Sequence, residues 1–210
     1  MATIPARLAG PEARSEFRRS GAVIIPGLWE PEDASDAVTQ TTQLRFFTPR
    51  RAQKGFLHSK EATITNVEIA KLKTKQILGG TALGRILDGA TKGGASLGVN
   101  LQRETLNAAR APEGRFYTAV RPSRVQAIEI PPNNTWSFTI PTHKLAAIVP
   151  IEGDLRLATR ASESTPLELG SVGFTVGQGP HELAASSGHA AVALFVAADN
   201  FRVRDAAVAA

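Results

Sequence analysis

The chain has 210 residues, enough for one domain of ordinary size with a sizeable core. Its 42% hydrophobic and 20% charged residues exclude a disordered chain, and no apolar run reaches the roughly eighteen residues of a membrane span. Zero cysteines exclude disulfides, thiolate metal sites and thiol nucleophiles, and the net charge is +5.

Met1-Ala-Thr-Ile-Pro-Ala-Arg7 lacks the charged start and apolar run of a signal peptide, so a cytoplasmic protein with no membrane association is expected. The next forty residues read as helix, strand, helix. Glu12 to Arg19 is a short helical stretch ended by Ser20-Gly21, and Ala22 to Pro26 is an apolar run that suits a buried strand. Pro31 opens a second helix, with Glu32 and Asp33 at its positive end, running to about Leu44.

Residues 45–64 read as an extended basic connection. Thr65-Asn-Val-Glu68 has the spacing of a capping box and predicts a helix that stops at Gly79-Gly80. Thr81 caps a further short helix, Ala82 to Asp88, before a glycine-rich loop, Gly89 to Gly94.

The positive charge is concentrated here. Residues 45–126 hold fifteen Lys/Arg against five Asp/Glu, whereas 1–44 hold four against six and 127–210 five against eight. Such a block attracts anions. It reads as a solvated face, as a contact with an acidic protein partner or a second copy of the chain, or as a site for a small anionic substrate. Its few aromatics, Phe46, Phe47, Phe56, Phe116 and Tyr117, argue against nucleic acid.

Beyond Gly98 short apolar or alternating runs follow one another: Val99–Leu106, Arg115–Val120, Val125–Ile130, Thr135–Ile140, Leu145–Val149, Leu155–Thr159, Ser171–Val176, Glu182–Ala185, Ala190–Ala197 and Phe201–Arg204. Turn formers separate them, among them Pro131-Pro-Asn-Asn134, Glu152-Gly-Asp154, Ser164-Thr-Pro166 and Gly177-Gln-Gly-Pro180. That rhythm predicts an antiparallel sandwich or barrel. The division expected is a helical, basic segment over 1–98 packed on a β-barrel over 99–205, with an alanine-rich tail at 206–210.

Within the β-rich half, Gly170 precedes His181 by eleven residues with a Gly/Pro turn between them, and Ile151-Glu-Gly-Asp-Leu155 is a glycine turn. On these residues 135–197 resemble the cupin family, whose second motif runs from a glycine through a strand and turn to a metal-binding histidine. The resemblance implies an α+β, mainly β fold: a double-stranded β-helix, or jelly roll, preceded by the N-terminal helices. It also implies a divalent metal, iron first, with zinc or nickel as alternatives. The family's first motif is incomplete. Its glutamate position is Ala146, and His143 stands one residue closer to Gly153 than the second histidine would, which on a strand changes the face unless a bulge intervenes.

Phe17-Arg-Arg-Ser-Gly-Ala-Val-Ile-Ile-Pro-Gly-Leu-Trp-Glu-Pro-Glu-Asp33 resembles the opening of phytanoyl-CoA-hydroxylase-like oxygenases, which use iron and 2-oxoglutarate on the same kind of barrel. Their His-x-Asp motif would fall at His143-Lys-Leu145, where leucine replaces the aspartate. The arginine expected about ten residues past the distal histidine is absent from 186–196. These departures argue against 2-oxoglutarate as cosubstrate.

The metal candidates are therefore His143 and His181, since imidazole suits iron, zinc or nickel. His58 and His189 lack a comparable setting. Glu129 and Tyr117 are candidate catalytic groups, Glu129 as a general base. Arg115, Arg121 and Arg124 either hold a substrate carboxylate or phosphate or are rim charges. Tyr117, Trp136 and Phe138 lie in alternating runs, either as core or as a substrate-lining wall. Three functions follow: a metal-dependent, cupin-like small-molecule enzyme, an oxygenase, isomerase or lyase acting on an anionic metabolite as a homo-oligomer; a non-catalytic jelly roll kept for binding or assembly; and an atypical iron/2-oxoglutarate oxygenase. Serine-nucleophile and phosphate-loop chemistry lack their motifs.

Overall fold

A computed structural model of the chain describes residues 2–3, 10–47, 57–58, 63–67, 80–98, 124–140, 145–159, 162–176, 180–186, 188–197 and 204–205. The elements in chain order are β1 (Ala2–Thr3), α1 (Pro11–Ser20), β2 (Ala22–Ile25), α2 (Asp33–Phe47), β3 (Leu57–His58), β4 (Thr63–Val67) and α3 (Ala82–Ser96). The barrel strands follow: β5 (Arg124–Ile130), β6 (Thr135–Thr139), β7 (Leu145–Glu152), β8 (Leu155–Thr159), β9 (Ser162–Leu167), β10 (Val172–Val176), β11 (Pro180–Ala185), β12 (Ala191–Ala197) and β13 (Arg204–Asp205).

Among the described residues they form two sheets. The larger has the order β1-β2-β10-β7-β12-β5-β4-β3, the smaller β13-β6-β11-β8-β9. From β5 onward successive strands alternate between the sheets except for the β8–β9 hairpin, which lies wholly in the small sheet, so each sheet interleaves sequence-distant strands. Every described ladder is antiparallel except β1 on β2.

Strand alternation divides the apolar side chains between two cores. On the outer face of the large sheet, Leu145, Ala147, Val149, Phe174, Leu194 and Val196 meet Phe17, Ala37, Leu83, Ile86 and Ala90 of the helices. On its inner face Ile24, Ile128, Ile130, Ala146, Ile148, Ala193 and Phe195 meet Trp136, Phe138, Leu155, Leu157 and Leu183 of the small sheet. Each large, fully buried side chain contributes about 1.5–3 kcal/mol. β7 is covered on both sides, which is why it reads as a continuous apolar run.

Turn geometry fixes the strand ends that matter for the site. Gly153 and Gly170, the two glycines behind the cupin resemblance, have φ of +71° and +85°, a region costly for side-chain-bearing residues. Leu28 N–H donates to the Gly170 carbonyl at 2.8 Å, and the Trp29 indole donates to the Ser171 carbonyl at 3.0 Å. These bonds tie the β2–α2 turn to the start of β10.

The structure corrects the sequence reading in three places. Thr63 to Val67 is a strand, not the entry to a capped helix. Three of its residues are β-branched threonine or isoleucine and a fourth is valine, and it pairs with β5 from Thr63↔Glu129 to Val67↔Val125. The expected helix beyond it, 68–79, lies outside the described residues. Second, Thr81 caps α3 as expected, accepting from Gly84 N–H at 3.1 Å, but the helix continues through Gly89–Gly94 to Ser96. Gly89 and Gly93 are packing residues: a Cβ on Gly93 would sit 2.5 Å from Leu28 Cδ1 and 2.8 Å from Phe174 Cζ. Third, Ser164-Thr-Pro166 lies within β9 and does not interrupt it. β9 ends the small sheet, and an edge strand tolerates proline.

The runs Val99–Leu106 and Arg115–Val120 and the tail 206–210 lie outside the described residues. No helix among the described residues is long and apolar enough to cross a membrane.

Candidate functional site

β11 carries His181 into the barrel. Its exposure alternates, with Pro180 and Glu182 outward and His181, Leu183 and Ala185 inward. His181 is 3% exposed. It pairs with Phe138 on β6 and with Thr159 on β8, so it stands at the first inward position of the strand, one step from the barrel end.

Two contacts to its ring are seen among the described residues. Phe138 stacks against it, with centroids 5.4 Å apart and planes 30° from parallel. Across the interior, Thr175 Oγ1 lies 3.4 Å from His181 Nδ1, and Thr175 is fully buried. Behind Phe138 the packing is aromatic: Trp136 stacks on it at 4.7 Å, and Phe195 meets both rings edge-on at 5.3 and 6.4 Å. Such ring pairs are worth about 0.5–1.5 kcal/mol beyond the area they bury.

The other sequence candidates distribute as follows. Trp136 and Phe138 are fully buried and join His181 in one cluster. Glu129 alternates with Ile128 and Ile130, which face the interior, and shares its side of β5 with Val125 and Ala127 under the helices. It stands on the face of the sheet opposite His181. His189 is exposed in the bend before β12. Arg124 begins β5, and its side chain is outside the described set. Arg115, Tyr117, Arg121 and His143 lie outside the described residues. β6 ends at Thr139, paired with Pro180, and β7 starts at Leu145, paired with Val176.

Ala146 stands where the cupin carboxylate would be. It is fully buried, on the inner face, paired with Thr175. Among the described residues no three His, Cys, Asp or Glu side chains converge. The described donor set is one imidazole with a hydroxyl behind it, which does not by itself hold a metal ion. A metal fits here only with further donors, and His143 is the one the sequence proposes.

Sequence reasoning missed Thr175. The signal was available, since Gly173 and Thr175 alternate with the apolar Val172 and Phe174, which places a hydroxyl on the inner face. That Gly173 faces inward follows from the 3.0 Å a Cβ there would stand from Leu157 Cδ2 of the small sheet.

Two interleaved antiparallel sheets enclosing an inward histidine define a double-stranded β-helix of the cupin type, preceded by helices. No family model matches the chain, and no curated protein does. Solved structures do. An oxidoreductase of the 2OG-Fe(II) oxygenase family from Burkholderia pseudomallei is 13% identical, with 93% of each chain covered and a TM-score of 0.50. A cupin domain of an XRE-family transcriptional regulator from Enterobacter cloacae is 18% identical over 37% of this chain and 82% of that one, at a TM-score of 0.34. Salicylate 1,2-dioxygenase from Pseudaminobacter salicylatoxidans is 18% identical over 36% and 20%, at 0.31. At such identities the likeness is one of fold, and this scaffold hosts unrelated activities.

Proposed function

We propose that the chain is a small-molecule enzyme whose reaction centre lies at the barrel end where His181 enters the interior. It uses a divalent metal, iron first and zinc or nickel as alternatives, held by His181 and His143. The single observation that carries this reading is His181 itself, an imidazole at the first inward position of β11, shielded from water and gripped by Phe138 and Thr175. The near full-length likeness to an oxidoreductase of the 2OG-Fe(II) oxygenase family supports oxygen chemistry. Without an arginine in 186–196, 2-oxoglutarate is left out of the proposal.

When bound, the metal would supply a Lewis acid or a redox centre. The chain's own residues do the rest. Phe138 and Trp136 form an apolar wall that excludes water and strengthens every electrostatic contact beside it. Arg115, Arg121 and Arg124 are the proposed holders of an anionic substrate, and Tyr117 is the proposed acid–base group. The test is metal content after purification without chelator, followed by titration with Fe2+, Zn2+ and Ni2+. Stoichiometric metal, lost in both His181→Ala and His143→Ala, is expected. An apo protein with no affinity for any of the three refutes the reading.

A second reading has its own observation. The described interior is filled by Trp136, Phe138 and Phe195 in ring contact, with Ala146 in the carboxylate position. On this reading the chain is a non-catalytic jelly roll for binding or assembly, and residues 45–126 form the contact with an acidic partner or another copy. Light scattering at low and high salt separates the two: a salt-sensitive oligomer without metal supports assembly, and a salt-insensitive monomer removes it.

A further inference from the structure

We propose that β9, the last strand of the small sheet, is closed to strand addition by its own part of the chain, so that a second copy does not pair with it. Among the described residues β9 ends that sheet, and Glu163, Ser164 and Pro166 on it are exposed. An open edge presents N–H and C=O groups to any matching strand, and the same edge of a second copy, related by a two-fold axis, is the partner always at hand. Six residues are enough for such pairing.

Three features converge on residues 163–166. The pairs Leu157↔Thr165 and Thr159↔Ser162 leave Glu163 and Ser164 together opposite Ala158, a bulge that breaks the regular spacing a partner strand would have to match. Side chains take both carbonyls of that bulge. Arg156 Nη2 donates to the Ser164 carbonyl at 2.6 Å while its Nε donates to Ser164 Oγ at 3.0 Å, and Thr165 Oγ1 donates to the Glu163 carbonyl at 3.1 Å. Pro166, paired with Arg156, has no N–H to offer. Arg156 also alternates with the inward Leu155 and Leu157, so its charge stands on the outer face beside the edge. A carbonyl keeps a second lone pair, so occupancy alone does not close it. A partner strand has to displace the guanidinium, match the bulge and forgo a hydrogen bond at once. The inference is independent of any metal centre and of the choice between enzyme and assembly protein: it directs self-association to other surfaces.

The test uses the full-length chain. Having no cysteine, it takes a single spin label at Glu163→Cys. Paired strands of six residues are about 20 Å long and about 4.8 Å apart, so labels on two paired β9 strands fall within about 25 Å of each other. With no other change, no such distance between copies is expected. With Arg156→Ala and Pro166→Val added, the short distance should appear and the mass by sedimentation should rise twofold over that of wild type as concentration increases. A short distance without the two added substitutions overturns the proposal, with no further variant having to fold. So does a double variant that keeps the wild-type far-UV spectrum, the wild-type mass and long distances. If the double variant misfolds, Arg156→Ala alone replaces it, with a smaller paired fraction expected and the same result refuting.

Discussion

Gly89→Ala puts the seating of α3 to a quantitative test. A Cβ built at Gly89 lies 2.2 Å from the Leu28 carbonyl oxygen, 3.0 Å from its carbon and 3.3 Å from Trp29 Cβ. Reaching ordinary contact requires the helix or the turn to retreat by about 1 Å, in a core already packed to crystal-like density. The clash is with backbone, so no rotamer change relieves it. The Leu28–Trp29 turn is also pinned, by the Leu28 bond to Gly170 and the Trp29 bond to Ser171. Two effects oppose each other. Alanine favours a helix interior over glycine by about 0.8–1.0 kcal/mol. Overpacking costs about 1–3 kcal/mol, more where nothing can yield. The steric effect wins, with an expected net loss of about 2 kcal/mol, or about 4–8 °C in Tm for a chain of this size. Urea unfolding followed by far-UV circular dichroism, with thermal melts, measures it. Gly188→Ala, with nothing within 4 Å of the added Cβ, is the control and is expected within about 0.5 kcal/mol of wild type. A Gly89→Ala protein as stable as wild type, or more so, refutes the close approach.

Two further predictions concern the helix layer. Thr81→Ala removes the side chain that accepts from Gly84 N–H and is expected to cost about 1 kcal/mol, with Thr81→Ser retaining most of it; an unchanged midpoint in the alanine variant would show that the cap does not matter. Asp33 accepts from Arg85 Nε at 2.8 Å and Nη2 at 2.5 Å, and this hydrogen bonding holds its carboxyl below the ordinary range. A depressed acid stabilises the fold above its unfolded value of about 3.9, and that contribution is lost as pH falls through the lower folded value. Wild type should therefore out-melt Asp33→Asn at pH 7, with the gap closing as pH drops below about 4. A gap that stays constant from pH 7 to 3 would disprove the linkage.

The barrel was legible where side-chain alternation and glycine spacing agree. Thr135–Ile140 and Leu155–Thr159 each show one buried face, Ala190–Ala197 is an apolar run buried on both, and Gly170 to His181 sets the span from the turn before β10 to the entry of β11. What failed was local chemistry read without its tertiary setting. A threonine and a glutamate three apart suggest a helix cap, but the ladder with β5 outweighs that preference. Gly89 and Gly93 look like part of a loop until the closeness of Leu28 and Phe174 shows why nothing larger fits. At the site, His181 could be placed from spacing. Thr175 could not be tied to it, because their meeting depends on two sheets facing each other.

The large sheet is a wall one strand thick. On β10, Phe174 presses toward Gly93 of α3, while the next residue, Thr175, reaches across the interior to His181. The helices therefore act as a backing plate for the histidine. A substitution that shifts α3 is felt one peptide bond from the site, and stripping the helices away would leave Leu145, Val149, Phe174 and Leu194 facing water as an adhesive apolar surface. Variants made to test the proposed site should accordingly sample the α3–β10 seam as well as the barrel mouth.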